Sequence, residues 1–131
     1  IERKPFEEYM RLHGEVDIVL DTYPFTGGLS SLLALWMGTP MITLRGSNAM
    51  QRQGAMILSH LGLEHLIAGT PDQYVEYALC LASDRARMAE LRSTMRARFS
   101  RSVLTDAAAV TRQAESEFRL MWRDWCRRST P

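Results

Sequence analysis

Lysine is all but missing from this chain: Lys4 is the only one among the sixteen basic residues, and the rest are arginine. Fifteen acidic residues nearly cancel them, leaving a formal net charge of +1. Such a balance supplies no general field to attract nucleic acid or an anionic membrane. The arginines alternate with acids, as in Asp84-Arg85-Ala86-Arg87-Met88-Ala89-Glu90, which is the pattern of a solvated helix surface. Cysteine is also scarce. Cys80 and Cys126 lie far apart with no CxxC and no Cys/His metal spacing, so both are expected as thiols of a reducing compartment, the cytoplasm. No apolar run approaches the roughly 20 residues of a membrane span. HExxH, GxGxxG and GxxxxGKS/T are all missing, as are paired carboxylates, internal repeats and low-complexity segments. The chain opens on Ile1 rather than Met, and residues 1–5 do not read as a signal peptide, so a piece of a longer protein is expected.

What is present reads as one domain over 1–131, with an α/β part at 1–70 and a helical part at 71–131. Pro5 opens a helix that His13-Gly14 ends. Residues 16–21 are apolar and partly β-branched, as a covered parallel strand requires. The nearly all-apolar stretch at 29–37 predicts a helix buried all round. Gly38 stops it, and a second strand follows at 40–44. A helix over about 50–61 offers Ala55, Met56, Leu58 and Leu61 to the core and is capped by Gly62. A short third strand falls at 66–68. Thr70-Pro71-Asp72-Gln73 has the form of a capping box, and the helix it starts offers Tyr74, Val75, Ala78, Leu79 and Ala82. Ser83 or Asp84 caps the next helix. A last helix over about 105–127 carries Val110, Ala114, Phe118, Met121, Trp122 and Trp125 at intervals of three and four, a stripe facing a partner layer. Trp36, Trp122 and Trp125 read most simply as core. The alternation predicts a Rossmann-like three-layer α/β/α arrangement, with a short parallel sheet and C-terminal helices.

The stretch from Val16 to Met37 organises the rest. A strand, the loop Tyr23-Pro24-Phe25-Thr26-Gly27-Gly28 and a helix point backbone N–H groups and a positive helix end at one place, a seat for phosphate. Gly27 and Gly28 admit a ligand to the backbone, and Thr26, Ser30 and Ser31 add hydroxyl donors. An ordinary corner, with Gly for the turn and Ser for the cap, accounts for the same residues. After the second strand, Arg45-Gly46-Ser47-Asn48-Ala49 forms a loop from which Arg52 reaches the same crevice or pairs at the surface. Asp21 accepts either from a ligand hydroxyl or from loop N–H groups, as loop support. His13, His60 and His65 form no catalytic set.

Asp21-Thr22-Tyr23-Pro24-Phe25-Thr26-Gly27-Gly28 and Leu35-Trp36-Met37-Gly38-Thr39-Pro40-Met41-Ile42-Thr43-Leu44 resemble the C-terminal catalytic lobe of the O-linked N-acetylglucosamine transferase family, which includes the SPINDLY proteins and is often attached to tetratricopeptide repeats. The similarity continues through Gly46, Arg52, Leu61-Gly62-Leu63, Leu66-Ile67-Ala68, Tyr74 and Met121-Trp122. It implies part of the C-terminal lobe of a GT-B glycosyltransferase that moves a sugar from a UDP-sugar, typically UDP-N-acetylglucosamine, to Ser or Thr of an acceptor protein. It also implies no metal, nucleotide and phosphate contacts at Thr26, Gly27, Gly28, Ser30, Ser31 and Arg52, and catalytic residues in an N-terminal lobe outside this chain. Relatives carry His-Thr-Thr or a run of Thr where Gly28, Leu29, Ser30 and Ser31 stand, and an Asp or Glu on the ribose hydroxyls where Leu33 stands. The alternative is therefore a degenerate module acting as scaffold or protein-binding domain. The remainder of the GT-B domain is the expected partner of the last helix. Without it, Phe118, Trp122 and Trp125 are expected to be partly exposed, and the isolated piece to be inactive and to self-associate.

Overall fold

In a computed structural model, which describes residues 4–129, the chain runs through α1 (Phe6–Leu12), β1 (Val19–Leu20), α2 (Leu29–Trp36), β2 (Met41–Leu44), α3 (Gln53–His60), β3 (Ile67–Ala68), α4 (Pro71–Ser83), α5 (Arg85–Ser100) and α6 (Ala107–Ser129). Short 3-10 turns occupy Ala49–Gln51, Glu64–Leu66 and Val103–Thr105. The ends of the expected single domain, residues 1–3 and 130–131, lie outside the described residues.

The sheet is parallel with order β1-β2-β3. Its central strand is stepped: Met41 and Ile42 pair with Val19 and Leu20, whereas Thr43 and Leu44 pair with Ile67 and Ala68. Each neighbour therefore needs only two residues, which is why the strand expected at 16–21 contracts to Val19–Leu20. Its ladder still extends at both ends, through Val19 N to Pro40 O and Asp21 N to Ile42 O.

Leu35, Met41, Ile42, Leu58, Leu63, Leu91 and Met95 are fully buried and form the centre of the core. Gly38 (φ 89°) and Gly62 (φ 67°) end α2 and α3 in the left-handed conformation that glycine adopts without strain. Thr70 Oγ1 accepts from Gln73 N and Gln73 Oε1 from Gly69 N, the reciprocal cap that the sequence encodes, set back one residue on its return arm. Asp84 caps α5 through Arg87 N. Helix α5 closes the end of the sheet opposite the strand C-termini. Arg92 Nη1 donates to Val16 O just ahead of β1, and Arg96 Nε donates to Trp36 O at the end of α2. The Arg96 guanidinium also lies over the Trp36 ring, which meets Phe99 edge-on.

Four expectations change. Helix α2 is not buried all round, since Leu29 at its start is exposed while Ala34 and Leu35 are covered. Met56 is exposed and Ile57 takes its place inside, because Gly54 rather than Met56 faces the sheet. Val75 and Leu79 are exposed on α4. Trp122 and Trp125 are not core: they stack on each other, 63% and 59% exposed, beside Phe118 at 68%, which is the partial exposure expected of this helix without the remainder of the domain. The stripe of α6 thus has the helical spacing expected of it, but α6 packs mainly on the 3-10 turn before it.

Candidate functional site

The strand C-termini carry two loops, residues 21–28 after β1 and 45–52 after β2, and Asp21 joins them. It is buried where β1 ends. Its Oδ1 accepts from Gly27 N at 2.7 Å, and its Oδ2 accepts from the buried Thr43 hydroxyl at 2.7 Å. Its backbone oxygen takes the Tyr74 hydroxyl of α4, also at 2.7 Å. Burial, and secondarily the Asp21 charge, push the Tyr74 phenol above its usual 10.0, so it stays a donor. Asp21 is therefore the brace of the first loop, with both carboxylate oxygens engaged inside the protein.

The brace works because α3 comes unusually close. A Cβ on Gly54 would stand 2.2 Å from Asp21 Oδ2 and 2.5 Å from Thr43 Oγ1. The positive ends of α2 and α3 thus both approach one buried carboxylate. Gln53, the first residue of α3, brings its amide beside Gly28, with Oε1 3.2 Å from where a Cβ on Gly28 would be.

No side chain caps α2, and no acid stands in its first turn, so the N–H groups of Leu29, Ser30 and Ser31 keep no partner inside the helix. Both serine hydroxyls crowd Gly27: a Cβ there would lie 2.3 Å from Ser31 Oγ and 3.0 Å from Ser30 Oγ. Ser31 is 2% exposed, while Ser30 faces solvent. The structure therefore brings Gly27, Gly28, Ser30 and Ser31 together around one uncapped helix end, a place suited to a phosphate group.

Thr26 and Arg52 stand apart from that cluster. Thr26 is wholly buried, and its hydroxyl donates to Met50 O at 2.7 Å, as does its N–H at 3.4 Å. Its proton fastens the first loop to the second rather than pointing at a ligand. Arg52 donates through Nε to Gly46 O at 3.0 Å and lines a surface cleft with Arg45, Ala55, Met56 and Ser59, none of them in the first loop.

Gln53 and Gly54 went unsingled in the sequence, and Thr43 and Tyr74 entered only as members of a strand, a helix and the family resemblance, with no role at the site. Gly54 alone carried a local signal, a glycine at the second position of a helix where Ala would serve better. Among the described residues no group of three or more His, Cys, Asp or Glu is placed to hold a metal ion, and no helix is long and apolar enough to cross a membrane. His65 Nε2 lies 3.0 Å from Arg87 Nη2 on the flank of α5, away from both loops.

The model of glycosyl transferase family 41 matches residues 2–114. A tomato (Solanum lycopersicum) protein described as a probable UDP-N-acetylglucosamine–peptide N-acetylglucosaminyltransferase SPINDLY is 40% identical over 124 residues, 95% of this chain and 13% of that protein. The Caenorhabditis elegans UDP-N-acetylglucosamine–peptide N-acetylglucosaminyltransferase is 30% identical over 117 residues, 89% of this chain and 10% of that one. A mutant of the Thermobaculum terrenum O-GlcNAc transferase has the same fold, with a TM-score of 0.90 and 32% identity over 99% of this chain and 25% of that chain. The chain thus spans a small fraction of the length of the proteins it matches.

Proposed function

The chain belongs to glycosyl transferase family 41, and on that premise we propose that it is part of the C-terminal lobe of a GT-B protein O-glycosyltransferase, holding the diphosphate of a UDP-sugar. The observation that carries the reading is the uncapped N-terminus of α2, with Ser30 and Ser31 gathered around Gly27 and the loop braced by Asp21. In this reading the sugar is N-acetylglucosamine and the acceptor is a Ser or Thr hydroxyl of another protein. As the bond from sugar to UDP breaks, negative charge grows on the departing diphosphate. Helix N–H groups and serine hydroxyls fixed beforehand at that place stabilise the transition state, and no metal is required. Groups that activate the acceptor belong to the N-terminal lobe, outside this chain. The parent carries tetratricopeptide repeats and works in the cytoplasm.

The apolar face of α6 supports the same reading, since Phe118, Trp122 and Trp125 suit a helix covered by the remainder of the catalytic domain. Leu33 favours the scaffold alternative, because a leucine on α2 accepts no hydrogen bond from a ribose. The two readings separate in the full-length parent. The enzyme reading predicts transfer of labelled N-acetylglucosamine from its UDP donor to protein, abolished in a Gly27→Ala variant that still folds. Folded parent that neither binds UDP nor transfers sugar would leave the scaffold reading.

A further inference from the structure

A cleft of about 300 Å³ opens between the second loop and the outer face of α3, lined by Arg45, Arg52, Ala55, Met56 and Ser59. We propose that it is a second anion site, separate from the Gly27–Ser31 seat, and that it takes a phosphate monoester carried on a polypeptide segment. Two guanidinium groups share this cleft, and no carboxylate lines it. Some of the other arginines settle on acids one turn away, as Arg87 on Glu90 at 2.6 Å and Arg128 on Asp124 at 2.7 Å. Here like charges face the same space, and an anion between them relieves their repulsion.

The cleft is held in shape by its own backbone. Arg45 N donates to Ala68 O at 2.9 Å, which anchors that residue on the end of the β2–β3 ladder. Gly46 N donates to Gln51 O, Ser47 N to Gln51 Oε1, and Gln51 N to Asn48 Oδ1, so the loop between the two arginines is closed on itself. Arg52 spends Nε on Gly46 O, which fixes its guanidinium plane and leaves both Nη groups for a ligand. Ser59, two turns along α3, adds a hydroxyl. A single carboxylate satisfies one guanidinium fork, whereas the three terminal oxygens of a phosphate monoester satisfy two forks and a hydroxyl together.

The floor of the cleft separates a polypeptide from a free ion. Ala55 and Met56 are apolar, and Met56 leaves half its surface uncovered on a helix whose other apolar residues are buried. A phosphate group alone fills only part of the space and leaves that methionine wet. A phosphorylated side chain with an apolar neighbour covers both. This site does not depend on the donor reading, because no residue of the first loop lines it.

The test is fluorescence anisotropy on the full-length parent. The probes are a labelled peptide with one phosphoserine among Ala and Leu, its unphosphorylated twin, and inorganic phosphate as competitor. The phosphopeptide should bind at least about tenfold more tightly than the twin, and Arg45→Gln should remove at least about tenfold of that affinity. Ser59→Ala should weaken it by a smaller factor, and UDP should not displace it. UDP titrated into Arg45→Gln reports the first-loop seat separately, so a failure of the donor reading leaves this result standing. Equal binding of the two peptides, an Arg45→Gln variant that binds like the wild type, or displacement by UDP would overturn the proposal. Binding of inorganic phosphate with no gain from the peptide would overturn the polypeptide assignment.

Discussion

Replacing Gly54 by alanine sets two rules against each other. Helix propensity alone favours the change by about 1 kcal/mol or less. The packing forbids it, because the new Cβ would stand 2.2 Å from Asp21 Oδ2, 2.5 Å from Thr43 Oγ1 and 3.0 Å from Thr43 Cβ. These neighbours are not free ends of flexible side chains: the carboxylate is held by Gly27 N, and Thr43 is buried in the middle of the sheet. Relief of such overpacking costs about 1–3 kcal/mol. Pushing Thr43 from the carboxylate forfeits a hydrogen bond to a charged group, worth about 1.5–3 kcal/mol. After the propensity gain, roughly 1.5–5 kcal/mol of destabilisation remains. At about 4 °C per kcal/mol for a domain of this size, Tm should fall by roughly 5–20 °C. Thermal unfolding followed by circular dichroism reads this directly. A Gly54→Ala protein whose Tm equals or exceeds that of the wild type would refute the claim that α3 is docked on Asp21 through that glycine.

Three further outcomes follow from the same geometry. Ser31→Ala should lower the UDP affinity of the full-length parent by about tenfold, as loss of a hydroxyl donor to a charged group does, with little change in Tm; isothermal titration calorimetry and a melt check the two halves. His65 is held below its ordinary 6.5, first by burial and then by the charges of Arg87 and Arg98. Its neutral form is the one the fold prefers, so its contribution is complete above 6.5 and is lost as pH falls through the lower folded value; urea midpoints should drop across that window, and His65→Gln should flatten part of the drop. The isolated chain should self-associate through α6, and Trp122→Gln with Trp125→Gln should shift sedimentation velocity profiles toward monomer.

The elements whose signals are local were legible. Gly38 and Gly62 marked helix ends because a left-handed residue is needed there, and Thr70 with Gln73 spelled out a cap that forms. The parallel sheet followed from alternation alone. What failed to show was direction across space. Met56 and Ile57 are equally apolar neighbours, and only the close approach of Gly54 to Thr43 decides which of them turns inward. Trp122 and Trp125 have core spacing, yet spacing fixes a face and not what covers it. At the loop, the grouping of Gly27, Gly28, Ser30 and Ser31 was readable because a helix start places its own first turn. The bonds from Thr26 Oγ1 to Met50 O and from Arg52 Nε to Gly46 O were not, because those partners come into reach only once the second loop folds back.

The central claim is that the start of α2, with its glycines and serines, seats the diphosphate of a nucleotide-sugar. Isothermal titration of UDP into the full-length parent, wild type beside Gly27→Ala, tests it most directly, since the added Cβ would stand where Ser31 Oγ and Ser30 Oγ now crowd the glycine. The account predicts saturable binding by the wild type and a loss of at least about tenfold in the variant, the size expected when hydroxyl contacts to a charged group are displaced. No binding by a folded wild type, or equal binding by the two proteins, would contradict it.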